Sequence, residues 1–352
     1  MNIDMSNVET FAGQVVTDIA AAFSGVMTNI GHKLGLYKAM AGEGWISSQQ
    51  LAAKTYTDER YVREWLNNQA AGGYVAYDVE TRRYNLPDEH VPVLADDDSP
   101  LFLVPALEVA SSLWMDEGRV IEVFRTGEGI PWSDHHHRLF CGSESLFRPG
   151  YKAHLASGWI AALDGVAEKL AAGGKVADVG CGHGASTLVM AEAFPNSTIV
   201  GFDSHESSIA TARQRAADAK SQGCVRFELA SAKGYGEQGF DLICFMDCLH
   251  DMGDPVGAAR HARQALKDDG TLLLVEPAAG DGVEQNLNPV SRLYYAASTA
   301  VCTPCSKSQD VGLALGAQAG EARLSEVLRE AGFRSVRRAA ETPFNLILEA
   351  RK

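Results

Sequence analysis

Three glycines and two acids near the middle of the chain have the types and spacing of a ligand site. The order is Asp178-x-Gly180-x-Gly182-x-Gly184, and Asp203 follows nineteen residues after the last glycine. Alternating glycines make a tight turn in which a ligand can approach backbone amides. A carboxylate at the end of the next strand can accept both hydroxyls of a ribose, and it favours one without a phosphate. The dinucleotide fingerprint is Gly-x-Gly-x-x-Gly, opening a helix beneath a pyrophosphate. Here an acid stands two places before the first glycine. It would repel a phosphate and suits an ammonium, directly or through water, so the pattern fits a nucleoside carrying an amino-acid tail. A second constellation, Asp247 to Asp254, contains His250, whose imidazole titrates near neutrality and can take a proton from a hydroxyl.

Alternating strands and helices must hold these residues. The apolar run Lys175 to Val179 reads as a buried parallel strand, Ala185 to Phe194 as a helix, and Thr198 to Phe202 as the strand ending at Asp203. Further strands are expected at Val225 to Leu229, Asp241 to Met246, Thr271 to Val275, Arg334 to Arg338 and Phe344 to Ala350. Helices are expected at Ser204 to Lys220, Pro255 to Leu266 and Gly320 to Ala331, the last stopped by Gly332. The alternation predicts a doubly wound α/β, Rossmann-like sheet with ligands beyond the strand C-termini. Towards the N-terminus, Phe11 to Thr28 and Lys33 to Met40 have helical spacing. Ser47 and Thr57-Asp-Glu-Arg60 are capping signals for two more helices, and strands at Tyr74 to Val79 and Arg83 to Leu86 follow. That order is a winged helix. Helices are also expected at Pro100 to Met115, Gly118 to Phe124 and, as one long element, Tyr151 to Leu170.

The run Val176 to Ser186 resembles motif I of the class I S-adenosylmethionine-dependent methyltransferases. Leu249-His250-Asp251-Met252-Gly253-Asp254 resembles the Leu-His-Asp-Trp-x-Asp of the small-molecule O-methyltransferases, and the order of parts is closest to an actinobacterial winged-helix subgroup of that family. The resemblance implies a seven-stranded methyltransferase sheet whose last strand returns antiparallel, behind a winged helix used for homodimerisation. Its implied domains are 1–95 for the helical winged-helix part, 96–150 for a helical linker and lid, and 151–352 for catalysis. It implies S-adenosylmethionine as cofactor, leaving as S-adenosylhomocysteine. The cofactor would be bound by Asp178, Gly180, Cys181, Gly182, Gly184, Asp203, Ser204, Ser231, Ala232, Met246 and Asp247. It implies His250 as general base, with Asp251 and Glu276 beside it, and a small-molecule acceptor pocket of Trp132, Phe147, Tyr151, Trp159 and Cys302. Three residues depart from the family pattern: Met252 replaces a tryptophan that would stack on adenine, Ser231 an aspartate and Met246 a lysine.

Composition narrows the alternatives. The chain has 352 residues, 46% hydrophobic and 22% charged, which is ordinary globular composition. A net charge of −14 speaks against a nucleic-acid substrate, and the expected recognition helix offers little cationic surface, so a DNA-binding cofactor sensor is the weaker reading. A non-methylating use of the same cofactor pocket is the other alternative. No run of eighteen apolar residues and no cationic leader pattern occur, so a cytoplasmic protein without membrane association is expected. Seven scattered cysteines read as reduced thiols. His135-His136-His137 reads as a solvated or lid-associated loop, since adjacent side chains diverge. Cys302-x-x-Cys305 lacks a second pair or a nearby histidine in sequence, so no metal site is expected.

Overall fold

The computed structural model describes residues 3–219 and 224–352, and the chain divides into two compact units, Met1–Ser111 and Ser112–Lys352. The first unit opens with a 29-residue helix, Met5–Lys33, longer than the spacing of Phe11 to Thr28 suggests because Asp4 caps it upstream by accepting the Ser6 N–H. Helices Leu36–Met40, Ser48–Thr55 and Glu59–Ala71 follow, then the antiparallel pair β1 (Ala76–Asp78) and β2 (Arg83–Asn85). Ser47 and Gln50 form a reciprocal capping box, and Asp58 caps the next helix, so both starts arise from local hydrogen bonds. Leu51, Trp65, Leu66 and Tyr84 are buried in this unit's core. The Trp65 indole N–H donates to the Met27 carbonyl at 2.8 Å, and Gly31 lets the indole lie against the long helix.

Elsewhere the long helix leaves an apolar face bare: Phe11, Val16, Ile19 and Phe23 are all more than half exposed. By length and composition it is the one helix among the described residues that could cross a membrane. In helix Glu59–Ala71, the recognition-helix position of a winged helix, Arg60 and Arg63 are each paired to a glutamate one turn away, Glu64 and Glu59.

The second unit holds a seven-stranded sheet in the order β5-β4-β3-β6-β7-β9-β8. Its strands are β3 (Lys175–Val179), β4 (Thr198–Asp203), β5 (Val225–Leu229), β6 (Phe240–Met246), β7 (Leu266–Pro277), β8 (Ser335–Glu341) and β9 (Asn345–Arg351). The first five are parallel, and β9 runs antiparallel between β7 and β8, as the resemblance implies. All seven residues of β6 are buried, which is why its sequence, apart from Asp241 paired to Lys267, is an apolar run rather than an alternation. The winding reverses beside β3, whose neighbours are β4 and β6, and the crevice at such a point is where open α/β sheets take ligands.

Two helix expectations change and a third holds. The separate helices at Pro100 to Met115 and Gly118 to Phe124 are one helix, Pro105–Thr126, because a single glycine costs a helix only about 1 kcal/mol. The element expected from Tyr151 to Leu170 begins earlier and is broken: an α-helix His137–His154, a π-turn Leu155–Ile160 and a helix Val166–Gly173. The first piece runs on through Pro149 to His154, and the last piece restarts after Gly165, which has φ +71°. The third helix expectation, Ser204 to Lys220, is met by Glu206–Asp218, while Lys220 lies outside the described residues.

Candidate active site

The cofactor half is built on the β3–β4 edge. Gly180, Gly182 and Gly184 all have positive φ, but for different reasons. A Cβ on Gly180 would meet Cys248 Sγ at 2.7 Å, and one on Gly184 would meet the Phe227 ring at 2.6 Å, so these two are demanded by packing. At Gly182 nothing lies within 4 Å of that position, which leaves an open approach to the backbone. The turn is stitched to β4: the Gly180 and Cys181 N–H groups donate to the Phe202 carbonyl at 2.8 and 3.1 Å, and the Gly182 N–H donates to Asp203 at 2.8 Å.

Asp203 also accepts the His205 N–H at 2.8 Å, so each of its oxygens is fixed by one backbone donor and keeps a lone pair. Asp178 is fully buried. One of its oxygens accepts the Ser186 and Thr187 hydroxyls, both at 2.6 Å, and the other has no hydrogen-bond partner. Burial pushes the pKa of both acids up; Ser186 and Thr187 work against it at Asp178, and the His205 and Gly182 amides at Asp203. Two desolvated carboxylates, one short of a donor, fit a ligand that brings an ammonium and a diol. Ser204 and Ser231 are exposed, Ala232 is partly buried, and Cys181 and Met246 are buried in the core beside the loop.

The acceptor half stands at the ends of β6 and β7. Glu276, almost wholly buried, accepts the Leu249 N–H at 3.0 Å through one oxygen and pairs with His250 Nδ1 through the other. His250 is equally buried. Its Nε2 is 3.2 Å from Asp251 Oδ1 but outside hydrogen-bond geometry, and that oxygen has no hydrogen-bond partner. Burial pulls the His250 pKa down, but the carboxylates of Glu276 and Asp251 outweigh it and hold the pKa well above the ordinary value. Asp247 has φ +51° and is pushed up to about 8, first by burial and then by the nearby charge of Glu276.

The expected pocket residues separate into two groups. Phe147 stacks on Tyr151 with ring centres 6.2 Å apart, and the charge of Asp247 adds to burial in raising the Tyr151 pKa, so Tyr151 lies near the acceptor half. Trp159 stands behind Tyr151 at 6.0 Å, edge-on, in the core with Val176 and Leu242. Trp132 packs on Phe140, which in turn reaches His205. Cys302 lies beside His250 and Asp251, so the histidine absent from the neighbourhood of Cys302-x-x-Cys305 in sequence is present in space. The His135 loop also differs from expectation: His135 is buried, with Nδ1 3.1 Å from Asp116 and Nε2 lacking a partner.

Several residues of the acceptor half have no local sequence signal. Asn345, at the start of β9, donates to both Asp247 oxygens at 3.0 and 3.3 Å. Ser306 donates to the Met252 carbonyl at 2.9 Å. Gln309 donates to the Asp251 carbonyl at 3.1 Å and accepts the Gly253 N–H at 3.0 Å. These partners come from 54 to 98 residues away.

Residues 22–96 match the Rv2258c-like winged HTH domain and residues 170–332 a methyltransferase domain. Among curated proteins, 27-O-demethylrifamycin SV methyltransferase of Amycolatopsis mediterranei (strain S699) is 33% identical over 107 residues, 30% of this chain and 39% of that protein. Trans-aconitate 2-methyltransferase of Variovorax paradoxus (strain S110) is 33% identical over 29% of this chain and 38% of that protein. The chain thus spans well under half the length of these relatives. Human N-acetylserotonin methyltransferase, solved with SAM, superposes with a TM-score of 0.70 at 16% identity, covering 97% of each chain. The mitomycin 7-O-methyltransferase MmcR does so with 0.67 at 18%, covering 99% of this chain and 100% of that one. Together with the sheet order and the glycine loop, these matches show a methyltransferase domain behind an Rv2258c-like winged HTH domain, in a fold shared with O-methyltransferases.

Proposed function

We propose that the chain transfers a methyl group from S-adenosylmethionine to a hydroxyl of a small molecule, with His250 as the base. The observation that carries this reading is the buried Glu276–His250 pair, set at the C-terminal edge of the sheet next to the cofactor half. The cofactor supplies an electrophilic methyl group on a sulfonium. Asp203 would hold the ribose hydroxyls, Asp178 the ammonium through its unpartnered oxygen, and Gly182 would let the ligand close on the backbone. Glu276 keeps a proton on Nδ1 and turns Nε2 towards the acceptor, so His250 can take the hydroxyl proton as the oxygen attacks in line. Tyr151 and Phe147 would wall the acceptor and help exclude water.

The unit 96–150 would serve as linker and lid, and the bare face of helix Met5–Lys33 supports a homodimer in which a second copy covers Phe11, Val16, Ile19 and Phe23. Pairing of both Arg60 and Arg63 of helix Glu59–Ala71 with glutamates supports a protein-contacting rather than a DNA-reading winged helix. The test is calorimetry paired with a methyl-transfer assay on a panel of hydroxylated metabolites. His250→Ala should lose turnover by about 10²–10⁴-fold while the cofactor dissociation constant stays unchanged, and undiminished turnover removes the base role.

A further inference from the structure

The acceptor half gathers three donors of metal-ligating type, of which the methyl-transfer reading uses only the imidazole. His250 Nε2, a carboxylate oxygen of Asp251 and Cys302 Sγ all lie within 4.8 Å of one another. They come from two segments, the 3₁₀ turn Leu249–Asp251 and the π-turn Ser298–Cys302, which Ser306 and Gln309 tie together by hydrogen bonds. Ligands around a tetrahedral Zn²⁺ stand about 3.5 Å apart, so small side-chain adjustments would bring the three donors onto one ion.

Two further observations point the same way. Glu276 sits on Nδ1, the carboxylate–histidine arrangement that fixes a metal-binding imidazole and leaves Nε2 to the metal. Asp251 Oδ1 is buried 3.2 Å from that nitrogen and accepts no hydrogen bond, so its lone pairs stay available beside the imidazole. The donor set also selects the ion. Imidazole and thiolate suit Zn²⁺ and similar metals, whereas Mg²⁺ and Ca²⁺ require oxygen ligands.

We propose that His250, Asp251 and Cys302 form a three-ligand site for one thiophilic divalent cation of the Zn²⁺ type, with the fourth position open towards the acceptor. Cys302 binds as the thiolate and releases its proton to solvent. The ion would claim the same nitrogen assigned above to the acceptor's proton, so ligand and base are alternative roles of one atom.

The test reads metal rather than turnover, which separates it from the methyl-transfer assay. Full-length, metal-stripped protein is titrated anaerobically with Co²⁺, followed by its thiolate charge-transfer and tetrahedral visible bands. One equivalent should saturate both bands, and Zn²⁺ should displace it. Cys302→Ser should abolish the charge-transfer band, and Glu276→Gln should weaken binding about 10–100-fold. Asp251→Asn, at a partly exposed position, should keep the band and lower affinity, which tests the site even where Cys302→Ser does not fold. Absence of the band, its survival in Cys302→Ser through thiols such as the exposed Cys141, or unchanged affinity in Asp251→Asn overturns the proposal.

Discussion

The cofactor loop and the His250 loop are held in shape by opposite means. The first is local: three left-handed glycines, two N–H groups stitched to Phe202, and Asp203 closing on Gly182. The second is held from a distance, by Glu276, Ser306, Gln309 and Asn345. A loop of the first kind carries its instructions in its own sequence. One of the second kind depends on whether the rest of the unit has folded around it, and its geometry can be changed by residues that touch no ligand.

The sharpest contrast is between Asp203 and His250. Asp203→Ala should weaken cofactor binding by about 10–100-fold, from loss of charge-assisted hydrogen bonds, and His250→Ala should leave binding alone while removing turnover. Equal losses of binding in both variants would erase the division into halves. Within the cofactor loop, Gly184→Ala should destabilise the protein by about 2–4 kcal/mol, combining a clash with Phe227 and a strained φ, seen as a lower unfolding midpoint. Gly182→Ala should cost only the strain, about 1–2 kcal/mol, yet obstruct the cofactor, seen as a raised dissociation constant.

Smaller effects are expected from the remote ties. Gln309→Ala removes bonds to both Gly253 and Asp251 and should lower kcat several-fold, at about 1 kcal/mol, without altering cofactor affinity; a change in affinity alone would contradict the remote-tie account. A pH effect concerns Asp247. Its folded pKa of about 8 lies above the ordinary 3.8, so the native state holds a proton that the unfolded chain has lost, and stability falls as pH rises between those values. Asp247→Asn should flatten that fall, measured by denaturant titrations across the window.

How far the molecule can be read from its residues follows the same division. Strands β3 to β6 and the capping residues Ser47 and Asp58 announce themselves because short apolar runs and hydrogen-bonding caps act within a few positions. The glycine loop and both acids were legible for that reason, although their separate tasks were not: packing against Phe227 and Cys248 is invisible in a glycine triplet. The helix expected from Tyr151 passes into a π-turn at Leu155 and restarts after Gly165, a break that periodicity does not reveal, and Gly118 does not break its own helix. Asn345 and Gln309 could not be found beside the His250 loop, since chain separation hides contacts that only the sheet and its crossovers create, and Cys302 was placed there by resemblance alone.

One contact joins the two loops. Cys248, whose thiol donates to the Val179 carbonyl at 3.2 Å, fills the space above Gly180 where a side chain would otherwise stand. The turn proposed to receive the nucleoside and the turn that carries the imidazole therefore share the Cys248 side chain as a common wall. Displacing the first by a few tenths of an ångström presses directly on the residue two places before His250, so occupancy on one side is felt mechanically on the other.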